Sequence, residues 1–131
     1  MKHSQITELS IEEYVDKSLV PGCVIKLVSS DSSVSEKLLM AGTYPAPLLL
    51  FRIHYNVPKL IQSDPRLRAK QIAIGPGDLT YLNRKAWVDC TGPDEEFTYE
   101  EVRSTLIGEP ERIVGNIRKE ITKKIKDAIK Q

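Results

Sequence analysis

The stretch Gln71–Thr91, QIAIGPGDLTYLNRKAWVDCT, decides the predicted fold because two strand-like segments flank a sharp turn within it. Residues 71–74 are strand-like, and residues 86–91 form a second strand-like run that contains the single tryptophan. Between them, the sequence GPGD at 75–78 is the strongest turn signal in the chain. Neighbouring strands joined in this way favour an antiparallel sheet.

Two further strands are predicted on the N-terminal side of this stretch. Residues 23–28 are rich in β-branched side chains, and Lys26 marks the wetter face of the strand. Residues 48–54 form a largely apolar stretch, which is typical of a central strand buried on both faces. Residues 29–35 form a polar loop, and residues 37–40 are too short a segment to assign.

A short helix is predicted near the N-terminal end, over residues 10–19. Ser10 and Glu13 have the spacing of a capping box, in which each side chain bonds the backbone amide of the other residue. The helical period turns Tyr14 and Val15 toward the core.

The C-terminal region, residues 97–131, is predicted to be helical. Thr98 and Glu101 form a second capping box at the start of a helix. Isoleucines recur at every fourth position from Ile113 to Ile129, and Lys and Arg fill the opposite face. This pattern predicts an amphipathic helix of about four turns that packs through an isoleucine stripe.

These elements predict a single α+β domain over residues 1–131, with a small antiparallel sheet over 21–92 and helices at both ends. A length of 131 residues fits one domain. The content of 40% apolar and 28% charged residues excludes a fibrous repeat, a wholly disordered chain and a membrane protein. No signal peptide is apparent, and the apolar run 46–51 is too short to span a membrane, so we expect a cytoplasmic protein.

The charges are balanced overall but unevenly distributed along the chain. Nineteen Lys and Arg residues against eighteen Asp and Glu residues give a net charge of +1. Residues 52–85 have a net charge of +5, residues 94–111 of −6 and residues 118–131 of +4. A local basic patch can bind nucleic acid in a neutral protein. The alternative is a solvated surface on which these charges neutralise one another.

Arg52 and His54 are the candidate catalytic residues. They lie two positions apart on a predicted strand, which places both on one face. An arginine can hold a phosphate while a histidine moves a proton near neutral pH, as metal-independent cleavage of RNA requires. The alternative is a strand-end histidine that satisfies a backbone group. Asp89 is a further candidate, which either points away from the core or is buried and paired.

Aromatic and basic residues interleave in the same part of the sequence. Tyr81, Arg84 and Lys85 are the predicted RNA-binding residues, with Tyr55 and Trp87 nearby in the pattern. Such a combination suits single-stranded nucleic acid, since bases stack on rings and phosphates bind cations. For Trp87 the alternative is a place in the core of the sheet.

No metal site and no cofactor is expected. Cys23 and Cys90 lie far apart in sequence, outside any Cys-x-x-Cys pair, and His3 and His54 are not at metal-ligand spacing. Both cysteines have apolar neighbours and are predicted to be small buried residues of the sheet. The glycine-rich phosphate-binding and zinc-hydrolase motifs do not occur in the sequence.

The order of features in Gln71–Thr91 resembles a group of small proteins related to the PemK/MazF-type plasmid growth inhibitors. In that group a strand is followed by the pattern (F/Y)-L-(T/N)-(K/R)-x-(S/A)-x-(I/V)-D-C and a helical tail, which YLNRKAWVDC at 81–90 matches. The segment VPGCV at 20–24 is similar to the start of their first strand. The resemblance covers about half of the chain.

The resemblance implies a small SH3-like β-barrel, often dimeric, that belongs to a toxin–antitoxin system or a mobile element. Active members cleave single-stranded RNA without a metal, through an early-loop arginine and a later Ser or Thr. This sequence departs from that pattern, because the loop after the first strand contains no arginine. Asp89, Cys90 and Trp87 of the matching segment are expected to be structural, with Asp89 bonded to a neighbouring loop.

A different class of function remains open on the sequence alone. The acidic helical region 94–107 and the isoleucine stripe can also bind a protein partner or a second copy of the chain. In that case the protein is a non-catalytic interaction module.

Overall fold

The hairpin predicted at residues 71–91 lies at one edge of a six-stranded antiparallel sheet. The computed structural model describes residues 8–29, 36–43 and 48–130. The strands are β1 (Cys23–Val28), β2 (Glu36–Thr43), β3 (Leu49–His54), β4 (Gln71–Ile74), β5 (Ala86–Asp89) and β6 (Ile113–Asn116). The helices are α1 (Glu8–Ser18), α2 (Lys59–Gln62), α3 (Pro65–Arg68), α4 (Tyr99–Gly108) and α5 (Lys119–Lys130), with a 3₁₀ turn at Pro110–Arg112.

The strand order is β4-β5-β3-β2-β1-β6, and the sheet curls into a half-barrel whose edges are β4 and β6. A bulge between Ala41 and Thr43 shifts β2 against β3, and bulges of this kind bend a strand. Gly42 lies in the bulge, where a Cβ atom would be 2.4 Å from Cε2 of Phe51. The ring of Phe51 therefore packs on the backbone itself, which requires glycine at this position.

Each face of the sheet carries its own hydrophobic core. On one face, Val15 of α1 and Val102 of α4 pack with Ile25 of β1, so these two helices cover β1, β2 and the start of β3. On the other face, Ile125 of α5 packs with Phe51 of β3 and with the loop at 79–82. The structure thus confirms the α+β class and the helices at both ends of the chain.

The predicted strands at 23–28 and 71–74 are confirmed, and the strand predicted at 86–91 is confirmed over Ala86–Asp89. The central strand is confirmed as β3, but it is buried on both faces only around Leu50 and Phe51, which belong to different cores, because Arg52 is exposed.

The C-terminal prediction is wrong in its first part. Ile113 does not begin a helix but lies in β6, which pairs with β1, and α5 begins only at Lys119. Gly115 has a φ of +149°, which an α-helix excludes, so the isoleucine spacing crosses two elements. Ile121 and Ile125 are buried, as the stripe predicted.

The N-terminal helix is confirmed, but its predicted first residue and the predicted burial of Tyr14 are wrong. The helix α1 begins at Glu8, so Ser10 lies inside it and is not the N-cap residue. Val15 is fully buried, whereas the adjacent Tyr14 points away from the core and is 51% exposed. The second capping box is confirmed, since Thr98 and Glu101 exchange side chain to backbone hydrogen bonds of 2.8 and 3.1 Å.

Neither β2 nor α2 was assigned from the sequence. Residues 37–40 belong to the eight-residue strand β2, and residues 59–62 form the short helix α2. Apart from Ser29, the predicted loop 29–35 lies outside the described residues.

Candidate functional site

Polar residues line one face of the sheet where it extends beyond α1 and α4. His54 of β3 lies opposite Trp87 of β5, and Gln71 of β4 lies opposite Asp89. Directly paired residues of antiparallel strands share a face, and Arg52 shares it because it lies two residues before His54. This set of five side chains is called the polar face below.

His54 and Asp89 lie at the centre of the polar face. Nε2 of His54 is 3.7 Å from Oδ2 of Asp89, which is longer than a hydrogen bond. The other carboxylate oxygen, Oδ1, accepts from Nε2 of Gln71 at 2.9 Å and from the backbone N–H and hydroxyl of Thr91 at 3.0 and 2.6 Å. Asp89 is therefore fixed from one side while its second oxygen faces the imidazole.

The environment keeps His54 uncharged at neutral pH. Burial lowers the pKa of the His54 imidazole, and the nearby Asp89 charge and Gln71 only partly oppose this, so the net shift is downward. Burial raises the pKa of the Asp89 carboxyl, but hydrogen bonds from Thr91 and Gln71 outweigh it and hold that pKa below its ordinary value. The pair consists of a neutral base beside a carboxylate, which is the arrangement that can accept a proton.

Arg52 makes an ion pair that the sequence did not predict. Its Nη2 lies 3.0 Å from Oδ2 of Asp94, and Nζ of Lys37 lies 2.9 Å from the same oxygen. Lys37 also pairs with Glu96. The Asp94 side chain is 7% exposed, so the two cations fasten the segment at 94–96 to the sheet, while Arg52 remains 48% exposed. Arg52 thus has a structural role and still presents charge to solvent.

Two cation–ring pairs lie at the end of β3 and at the start of β5. The guanidinium of Arg84 lies 4.4 Å from the centroid of the Tyr55 ring, and Nζ of Lys85 lies 5.4 Å from that of Trp87. Tyr55 follows His54 directly in sequence, and Trp87 is the cross-strand neighbour of His54. Lys85 therefore lies beside the polar face through Trp87, whereas the Arg84–Tyr55 pair packs against the core on the side of α5.

Tyr81 does not join this group. It stacks with Lys26, whose Nζ is 5.4 Å from the ring centroid, and Lys26 shares the sheet face of Val24, on the side of α5. Tyr81 is 42% exposed there. The predicted RNA-binding residues Tyr81, Arg84 and Lys85 are consequently divided between the two faces of the sheet.

The residues expected to be structural have different roles. Cys90 is buried in the core under α5, and burial raises the pKa of its thiol to about 11. Asp89 is bonded to Thr91 and Gln71. Trp87 is only partly buried and belongs to neither core, so a core position for it is wrong.

A cleft of about 420 Å³ opens beside Trp87. Its lining residues are Tyr55, Asn56, Val57, Gln62, Arg68 and Trp87. The short helices α2 and α3 supply one wall, and Asp64 fixes α3 by accepting hydrogen bonds from the backbone of Arg66 and Leu67. The cleft has aromatic, amide and guanidinium groups within one small volume, which suits a flat polar ligand such as a nucleobase.

Gln71, Arg68 and Asp94 are site residues that the sequence reasoning missed. Gln71 was visible as the single polar residue of an otherwise apolar strand, opposite Asp89 once the hairpin is folded. Arg68 and Asp94 lie in connecting segments, and nothing in their local sequence indicates which strands they approach.

Comparison with protein-family models, with curated proteins and with solved structures finds no match to this chain. The described residues contain no group of three or more His, Cys, Asp or Glu side chains placed to hold a metal ion. Among the helices in residues 8–29, 36–43 and 48–130, none has the length and apolar character needed to cross a bilayer.

Proposed function

We propose that this protein binds single-stranded RNA in the cleft beside Trp87. The observation that carries the proposal is the pairing of two partly buried rings with cations, Arg84 with Tyr55 and Lys85 with Trp87. Rings stack on bases of any sequence, while neighbouring cations attract the phosphates. Arg68 adds a third cation at the wall of the cleft.

The proposal includes an SH3-like barrel of the PemK/MazF type. The curled six-stranded sheet and the segment 81–90 support it. By the same resemblance we propose a toxin–antitoxin or mobile-element context, a cytoplasmic location and a dimeric state. The cleft residues differ from the early-loop arginine of active family members, so the mode of RNA binding is this chain's own.

Cleavage is the second part of the proposal. Neutral His54 takes the proton of a ribose 2′-hydroxyl, and the 2′-oxygen then bonds to the adjacent phosphorus. The bond from phosphorus to the 5′-oxygen breaks, and that oxygen takes a proton from water. The product ends are a 2′,3′-cyclic phosphate and a 5′-hydroxyl. Arg52 stabilises the charge on the phosphate, and Asp89 positions the imidazole.

Binding is tested by titrating the protein with a labelled oligouridylate, which does not form internal pairs. We expect Trp87→Leu to weaken binding about tenfold, in line with the loss of one stacking platform of 1–3 kcal/mol. Tyr81→Leu is the matched control, because it removes an exposed ring on the opposite face of the sheet. Equal affinity in wild type and Trp87→Leu would refute binding in the cleft.

Cleavage is tested with a mixed-sequence single-stranded RNA in EDTA. Discrete fragments are expected from wild type, far fewer from Arg52→Ala, and none above background from His54→Gln. If the RNA is bound but stays intact, the protein binds RNA without cleaving it, and the catalytic part of the proposal is refuted.

A non-catalytic interaction module is the second candidate function. The acidic region 94–111 supports it, with a groove of about 440 Å³ between α1 and α4. The isoleucine stripe does not, because Ile121 and Ile125 are buried against the sheet of their own chain. We therefore expect Ile121→Asp to unfold the chain and not to release a partner, as a sizing column and a circular dichroism spectrum will show.

A further inference from the structure

The outer face of α5 carries a narrow stripe of lysines. At about 100° per residue, Lys119, Lys123, Lys126 and Lys130 fall within a sector of about 60°. All four side chains are exposed, and the sector lies opposite Ile121 and Ile125, which pack into the core. This set of four is called the lysine stripe.

The charge of the lysine stripe is not neutralised within the part of the chain that the structure describes. No ion pair joins any of its four members to a carboxylate there, whereas the neighbouring Arg118 pairs with both Asp78 and Glu120. On the helical wheel, Glu120 and Asp127 lie to one side of the stripe. A row of like charges repels itself, so it is stabilised by an anionic partner.

A groove lies beside the first three lysines of the stripe. It has a volume of about 410 Å³, and its lining includes Val20, Pro21, Ile117, Lys119, Lys123 and Lys126. The apolar floor and the cationic wall together fit a chain that has flat apolar groups and regularly spaced negative charges. The stripe is about 16 Å long, which at about 3.4 Å per stacked nucleotide corresponds to about five phosphates.

The stripe leads toward the proposed RNA-binding cleft. Nζ of Lys70 donates to the carbonyl oxygen of Ala128 at 2.7 Å, which holds the last turn of α5 against the start of β4. Arg68, two residues before Lys70, lines the cleft beside Trp87. The segment 68–70 therefore contacts the C-terminal turn of α5 at one end and forms part of the wall of the cleft at the other.

We propose that the lysine stripe is a second RNA contact, which holds the sugar–phosphate backbone of a strand whose bases occupy the cleft. This inference rests on the proposed function, because it extends the same bound strand around the β4 edge of the sheet. It gives the protein two RNA contacts of different kinds: stacking at the cleft and charge neutralisation at α5.

The test compares a short and a long oligouridylate, of about 4 and about 20 nucleotides, since only the long strand can reach both contacts. The stripe variant is Lys123→Gln with Lys126→Gln. Its control is Lys17→Gln with Lys124→Gln, which removes the same charge from exposed helical positions outside the stripe. Affinity is measured by fluorescence anisotropy at several salt concentrations.

We expect the stripe variant to bind the long strand several-fold more weakly, with a log–log salt slope reduced in magnitude by about 1.4, at about 0.7 for each lost phosphate contact. Binding of the short strand should stay unchanged, and the control should behave as wild type. If the stripe variant binds the long strand with the same affinity and salt slope as the control, the lysine stripe does not contact RNA, whereas binding in the cleft is not contradicted. If wild type binds neither strand, the proposed function itself fails and the stripe fails with it.

A third outcome would also overturn the inference. If wild type self-associates and the stripe variant alone becomes monomeric by sedimentation, the lysines contact the acidic surface of a second copy and not RNA.

Discussion

The guanidinium of Arg84 stacks on the ring of Tyr55 with 4.4 Å between the guanidinium carbon and the ring centroid. The loop before β5 is thereby placed next to the end of β3, where Tyr55 lines the cleft beside Trp87. This single contact joins one of the predicted RNA-binding residues to the cleft.

Replacing Arg84 tests this link directly. Arg84→Met keeps an apolar stem over Tyr55 but removes the charge, so we expect weaker binding of an oligouridylate and a salt slope smaller in magnitude by about 0.7. Arg66→Met removes an equally exposed charge from α3 and should leave both values unchanged. Identical binding curves for the two variants would show that Arg84 does not contact the RNA.

The intrinsic fluorescence of the protein should report binding. Trp87 is the single tryptophan, and it lines the cleft. A base that stacks on the indole changes its surroundings and excludes water, so we expect quenching or a spectral shift that saturates with added oligouridylate. A spectrum unaffected by RNA that is shown to bind by anisotropy would place the binding site elsewhere.

The titration of His54 tests the arrangement on the polar face. We expect its imidazole, followed by NMR, to have a pKa below the ordinary value of 6.5 because the side chain is largely buried. Asp89→Asn should lower that pKa further, since the Asp89 charge acts to raise it. A higher pKa in Asp89→Asn would contradict the geometry.

The same shift predicts how stability changes with pH. The unfolded chain binds a proton at His54 more readily than the folded chain does, so the free energy of unfolding should fall as the pH drops from 6.5 toward the folded-state pKa. In His54→Gln this part of the pH dependence should disappear, which thermal melts between those pH values will show.

The ion pairs at Asp94 predict an order of stability effects. Asp94→Ala leaves Lys37 and Arg52 without their shared carboxylate, and we expect a loss of about 1–3 kcal/mol in the free energy of unfolding. Arg52→Ala should cost less than about 1 kcal/mol, because Arg52 is half exposed and Lys37 keeps the pairing. Urea denaturation of the two variants checks the order, and a larger loss in Arg52→Ala would contradict it.

Among the described glycines, Gly42 has the least room for a side chain. A Cβ atom at residue 42 would lie 2.4 Å from the Phe51 ring, so Gly42→Ala should destabilise the protein by about 1–3 kcal/mol through overpacking. Gly92→Ala is the control, because its Cβ atom would meet nothing within 4 Å, and it should change stability by less than about 0.5 kcal/mol. Equal melting temperatures for the two variants would argue against the bulge.

Those parts of the fold that depend on local pattern were predictable. The hairpin at 71–91 follows from its turn residues, and the capping box at Thr98 and Glu101 fixes the start of α4. The strand β2 was not predicted because its central Leu-Leu-Met-Ala segment has no β-branched residue and no alternation of polar and apolar residues. Ile113 was predicted to lie in a helix because its spacing from the other isoleucines fits a helix. It lies in a strand because residues 113–116 pair with β1 and Gly115 has a positive φ.

The candidate site was predictable only in part for a related reason. The two-residue period of a strand predicts that Arg52 and His54 share a face, and the structure confirms this prediction. Their partners are set by register across the sheet, which joins His54 to Trp87 and Asp89 to Gln71, and by the approach of Asp94 from a distant segment. Such long-range pairings leave no local trace in a single sequence.

The two cysteines divide between the two cores, Cys23 in the one under α1 and α4 and Cys90 in the one under α5. Burial raises the pKa of each thiol to about 11, so neither is expected to react with an alkylating reagent while its core is closed. Each thiol is therefore a natural reporter on one side of the sheet. The rates at which Cys23 and Cys90 become alkylated in the native protein will show whether the two layers open together or one before the other.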